Sequence, residues 1–122
     1  MIRLSMNTPF NADEAKKFLQ EKEKRERDEH EAQRKQVLEK LTAFLKQEFQ
    51  SSTVEVYLVG SLTRPYQFSS RSDVDIVLKN FHGDRFDLMP RIETLTGRSV
   101  EIILYEQSPF QQEIDRNGLK VL

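Results

Sequence analysis

The stretch from Val54 to Leu78 constrains this chain more than any other. An apolar run, Val54 to Val59, stops at Gly60-Ser61. A polar loop follows, and Asp73-Val74-Asp75 then opens a second apolar run, Ile76 to Leu78. Short β-branched runs bounded by Gly, Ser and Pro predict two strands joined by a loop. Side chains at i and i+2 of a strand share a face, so Asp73 and Asp75 are predicted to point one way while Val74 and Ile76 point into a core. Two adjacent carboxylates repel and raise each other's pKa, which makes a cation their natural companion. Hard divalent ions such as Mg2+ take one or two carboxylates together with substrate phosphates. A glycine after a strand lets a phosphate approach the backbone, and a serine hydroxyl with the following N–H groups suits phosphate oxygens. Phosphate-holding Gly60-Ser61 and metal-holding Asp73 and Asp75, joined by one loop, describe a nucleoside-triphosphate site.

Composition limits the alternatives. The chain has 122 residues, enough for one small domain. It carries 19 basic and 20 acidic residues for a net charge of −1, which argues against a dedicated nucleic-acid binder. It has no cysteine, so disulfide, thiol and Cys-based zinc chemistry are excluded, in keeping with a cytoplasmic setting. No apolar run reaches the ~18 residues of a membrane span.

The N-terminal part divides in two. Met1 to Phe10 reads as an edge strand or a frayed terminus. Asn11 is a helix cap, with Glu14 placed for a capping box. No Gly or Pro interrupts Ala12 to Gln50, and a single helix there would span about 58 Å at ~1.5 Å per residue. Gln20 to Gln36 has Ala32 as its sole apolar residue, and opposite charges recur at i, i+4, as in Glu21–Arg25 and Lys22–Glu26. This predicts a solvated helical arm, residues 1–36 with the terminus, with partner docking as the sharper alternative. His30, alone among charges, reads as surface. From Val37 the pattern becomes amphipathic: Val37, Leu38, Leu41, Phe44, Leu45 and Phe49 share one face. Residues 37–122 then form the globular domain.

Downstream, Asp84 caps a helix carrying Phe86, Leu88, Met89, Ile92 and Leu95, with Pro90 inside it and Thr96-Gly97 at its end. Ser99 to Leu104 is a third strand interrupted only by Glu101. Two readings of Glu101 stand: an edge-strand carboxylate facing solvent, or a third member of the Asp73–Asp75 cluster. Ser108-Pro109 predicts the start of a short helix ending near Asn117-Gly118, and Leu119 to Leu122 an added edge strand or core packing.

An apolar strand, Gly60-Ser61, eleven intervening residues and Asp73-Val74-Asp75 in a second strand resemble the signature of the DNA polymerase β-like nucleotidyltransferases. Within that superfamily, residues 36–122 resemble the minimal nucleotidyltransferase (MNT) antitoxins of MNT/HEPN toxin–antitoxin modules. The resemblance implies an α/β (α+β) fold: a small mixed sheet of about three strands flanked by helices, here with a long N-terminal helix. It implies Asp73, Asp75 and Glu101 as catalytic ligands of two Mg2+ ions, and Gly60 and Ser61 as phosphate-binding groups. Arg64 is a candidate phosphate contact or an exposed structural arginine. ATP is the implied donor and a tyrosine hydroxyl of a partner HEPN toxin the implied acceptor. Alternatives are a catalytically idle antitoxin acting by docking, transfer to a small-molecule hydroxyl, and modification of a nucleic-acid end. Two features depart from the family pattern: the long charged arm, and Leu62 where a polar or basic residue often follows Gly-Ser.

Overall fold

The computed structural model describes residues 11–122. The expectations for Met1 to Phe10 lie outside the described residues. Helix α1 (Ala12–Glu48) is one unbroken helix of 37 residues, about 55 Å long at ~1.5 Å per residue. Asn11 caps it as expected: its Oδ1 accepts the backbone N–H groups of Asp13 and Glu14, both at 3.1 Å. Along residues 12–30 nearly every side chain is exposed, with Ala15 and His30 partly covered. Packing begins at Glu31, one turn and a half before the apolar stripe of Val37, Leu41, Leu45 and Phe49. The charged pattern conceals this: Glu31 and Arg34 are buried, where the sequence predicts a solvated face.

Four strands follow: the three expected and, as one of the two readings of Leu119 to Leu122, an added edge strand. β1 (Glu55–Val59) pairs antiparallel with β2 (Val74–Lys79), which pairs in parallel with β3 (Val100–Leu104). β4 (Leu119–Lys120) adds to the far side of β1, giving the order β3-β2-β1-β4. The mixed sheet and long N-terminal helix bear out the predicted fold class. Helix α2 (Arg85–Thr96) makes the crossover between the two parallel strands, a connection that a hairpin cannot supply. Asp84 caps α2 by accepting the Phe86 N–H at 2.8 Å, and Gly97 (φ 67°) ends it in the left-handed conformation. Pro90 neither ends nor shortens α2; it is exposed, while Leu88 and Ile92 anchor the helix in the core.

Alternation along the strands gives the sheet two different faces. Val56, Leu58, Val74, Ile76, Leu78, Val100 and Ile102 pack under α1 and α2 in the main core. Tyr57, Val59, Asp75, Val77, Glu101 and Ile103 occupy the opposite face, as the pairings Tyr57–Val77, Val59–Asp75, Asp75–Glu101 and Val77–Ile103 require. Helix α3 (Gln111–Asn117) covers part of that second face with the buried Ile114. It starts later than Ser108-Pro109 predicts. A 3-10 turn at Tyr105–Gln107 intervenes, and the Ser108 hydroxyl accepts the Phe110 N–H at 3.0 Å, holding the chain in a side-chain turn.

Candidate active site

β1 ends against the start of β2, and the turn between them builds the site. Gly60 has φ 79°, a left-handed conformation natural to glycine, and opens a 3-10 turn, Gly60–Thr63. A Cβ placed on Gly60 would lie 2.6 Å from Asp75 Oδ2, so the absent side chain is what lets the turn lie against that carboxylate. The Thr63 hydroxyl donates to Gly60 O at 2.8 Å and the Arg64 N–H to Ser61 O at 3.1 Å, tightening the turn. Leu62, the departure from the family pattern, is fully buried and pins the turn to the core. The Ser61 hydroxyl has no hydrogen-bond partner among the described residues.

Asp73 sits immediately before β2, and Asp75 is its second residue. The parallel register sets Asp75 beside Glu101 on β3. Glu101 is exposed and β3 is an edge strand among the described residues, so the solvent-facing reading is met; yet it shares the face and register of Asp75. Burial raises the Asp75 carboxyl above its ordinary value, and the charges of Glu101 and Asp73 raise it further. None of the three acids has an ion pair among the described residues. Nor do three acidic or histidine side chains there converge as a ready metal centre. A half-buried carboxylate with two acidic neighbours and no cation partner fits Mg2+ of the kind that completes its shell with water and substrate phosphate.

A cavity of about 450 Å³ lies between the second face and α3, and of the three acids only Glu101 lines it. Val59, Ile103, Phe110 and Ile114 supply apolar walls, and Gly60, Thr63, Arg64 and Glu101 line the end nearest the turn. Phe110 stands at its wall 66% exposed. Arg64 is exposed, and Arg85 donates one N–H to Ile102 O at 3.0 Å. The two histidines, His30 and His82, lie outside this group.

Residues 13–117 match the family profile described as poly(A) RNA polymerase, mitochondrial-like, central palm domain. The chain belongs to this family. The kinship with nucleotidyltransferases expected from Gly60-Ser61 and Asp73-Val74-Asp75 is thereby borne out. The palm domain is also similar to two crystal structures of toxin–antitoxin pairs. With a mutant of MntA–HpeT it shares 18% identity and a TM-score of 0.47, covering 56% of this chain and 58% of that one. With MntA–HepT it shares 14% identity and a TM-score of 0.48, covering 75% of this chain and 70% of that one. No curated protein matches the chain. None of the described helices is long and apolar enough to cross a membrane.

Three contributors to the palm escape sequence reasoning. Arg34 Nη1 donates to Leu62 O at 3.0 Å, and Glu31 Oε2 accepts the Tyr66 N–H at 2.9 Å. Arg98 lies over the Phe68 ring, donates to Ser69 O at 2.6 Å, and reaches Gln33 Oε1 at 3.3 Å. The loop between Gly60 and Asp73 is thus fastened at both ends. The sequence trace of this is that Glu31 and Arg34 sit i, i+3 apart on the helix face that Leu41 and Leu45 continue, a trace easily lost among the charged pairs nearby.

Proposed function

We propose that this palm domain transfers AMP from ATP to a hydroxyl of a protein partner, a tyrosine of a HEPN toxin, with the α–β phosphate bond broken and pyrophosphate released, and so acts as an antitoxin. The observation that carries the reading is the registration of Asp75 with Glu101 on one face, with Gly60 packed on the Asp75 carboxylate, in a chain of nucleotidyltransferase kinship. The choice of a HEPN partner rests on the MNT-like signature of residues 54–78. In this reading Asp73, Asp75 and Glu101 hold Mg2+, which when bound neutralises phosphate charge and favours the deprotonated acceptor. Gly60 and Ser61 present backbone N–H groups and a hydroxyl to the β and γ phosphates. Arg64, at the cavity end of the same turn, contributes positive charge to the triphosphate. Glu101 is exposed on its edge strand, which supports a role toward an incoming acceptor. The partner supplies that acceptor, and the exposed arm of α1 offers a surface for docking.

The assay is label transfer from α-labelled ATP with Mg2+ to a co-encoded HEPN protein, with Asp73→Asn and Asp75→Asn as controls. Label on the partner, lost in both variants, is the expected result. Neutralisation of the partner that survives Asp75→Asn unaltered refutes catalysis and leaves an idle docking module. The family description favours a second reading, nucleotide addition to an RNA 3′ end. The net charge of −1 weighs against it. Label on an RNA oligonucleotide in place of protein would establish it.

A further inference from the structure

α1 does more than roof the core. Among its buried side chains are two charged ones, Glu31 and Arg34, which pair with each other. Each also reaches the backbone of the loop that carries Gly60 and Ser61. Arg34 Nη1 donates to Leu62 O, and Glu31 accepts from the Tyr66 N–H. Tyr66 has φ 62°, a left-handed conformation that a non-glycine residue holds only when its surroundings impose it. The Arg34 hydrogen bond holds the Glu31 carboxyl below its ordinary value against the desolvation that raises it, with the Tyr66 N–H assisting.

A buried ion pair is a poor way to gain stability, because apolar side chains of similar volume are often as stable or more so. What this pair supplies, and an apolar pair cannot, is a donor for one loop carbonyl and an acceptor for one loop N–H. We infer that Glu31 and Arg34 are positioning residues for the phosphate-binding turn: they hold Leu62 and Tyr66 in place so that the Ser61 hydroxyl and turn N–H groups face a triphosphate beside Asp75. The inference rests on the proposed nucleotidyltransferase reading for its ligand, but the loop geometry it describes is independent of that reading. Neither residue touches the substrate; both act through the backbone of Gly60 to Tyr66.

The test is the double variant Glu31→Leu/Arg34→Met in the full chain, with Leu45→Ala as a variant destabilised away from the loop. Three quantities are read: melting temperature, Mg2+-dependent affinity for ATP and for inorganic tripolyphosphate, and hydrogen-exchange protection of the Ser61 to Gln67 amides. The double variant is expected to stay folded and to melt no lower than Leu45→Ala, since the loop groups left unpaired cost less than an emptied core position. It is expected to lose about tenfold to a hundredfold in affinity for both ligands, as misplaced binding groups do, and to lose protection at Tyr66. Leu45→Ala is expected to melt lower yet bind as wild type when assayed well below its transition. Unchanged affinity in a folded double variant overturns the inference. If wild type binds neither ligand, the functional reading fails; lost protection at Tyr66 then still upholds loop positioning, and retained protection overturns it. Should the double variant not fold, Arg34→Lys keeps the charge and loses the planar fork. Faster exchange at Tyr66 in that folded variant supports the inference, and wild-type exchange overturns it.

Discussion

Gly60→Ala tests the site at its tightest contact. Two costs add. Alanine at φ 79° bears the left-handed penalty, roughly 1–2 kcal/mol. Its Cβ would also meet Asp75 Oδ2 at 2.6 Å, so either the turn or the carboxylate must retreat. Asp75 is flanked by Val59 and Glu101 in the sheet, and any retreat breaks its register with the turn. The backbone penalty alone lowers the melting temperature by roughly 3–12 °C for a domain of this size. Displacing a binding group by about 1 Å costs on the order of a hundredfold in rate. Gly97→Ala separates the two effects. Gly97 has φ 67°, but a Cβ there would meet no heavy atom within 4 Å, so alanine faces backbone strain alone. The assays are a thermal melt and label transfer from α-labelled ATP. Both variants are expected to melt lower, and only Gly60→Ala to lose transfer. Wild-type transfer by Gly60→Ala, or equal losses in both variants, would refute the claim that the turn must lie against Asp75.

Three further outcomes follow from the same structure. Leu62→Ala, which empties a fully buried position, is expected to cost about 2–5 kcal/mol in chemical denaturation. A value below about 1 kcal/mol would mean that the turn is not pinned to the core. Asp75 has a raised folded pKa, so the folded state binds its proton more tightly than the unfolded state does. Its favourable contribution is therefore full below the ordinary aspartate pKa and is lost as pH rises through the raised value. Without Mg2+, Asp75→Asn is expected to melt above wild type at pH 7, with the difference shrinking as pH falls; a lower melting temperature at pH 7 would contradict this. Mg2+ with ATP is expected to raise the wild-type melting temperature and to leave Asp75→Asn unmoved, and an equal rise in both would remove Asp75 from the ligand set.

Local signals carry much of this architecture. Asn11 and Asp84 cap helices because their side chains accept N–H groups two or three residues ahead, and that distance is written in the chain. The alternation around Asp75 predicts which residues face the core, because a strand has a period of two whatever it packs against. The start of α3 departs from expectation because Ser108 turns the chain through its own hydroxyl, a choice that proline at the next position does not reveal.

The charged stretch shows the limit most clearly. Its i, i+4 pairs make a helix legible, and the lack of Gly and Pro makes it continuous. Glu31 and Arg34 lie on the helix face that Leu41 and Leu45 bury, one to two turns before Val37, but nothing local says what they meet there. Their burial depends on Leu62 and Tyr66, some thirty residues further on in the chain. Likewise Glu101 is legible as a lone acid in an apolar strand, but only the crossover through α2 sets the parallel register that puts it beside Asp75. The kinds of elements, the chemistry of Gly60-Ser61 and Asp73-Val74-Asp75, and the faces of the strands are all written in the chain, because they follow from backbone periodicity and side-chain type. Which distant charges meet is settled in three dimensions, because the contacts that bury an ion pair or register a carboxylate belong to no single segment.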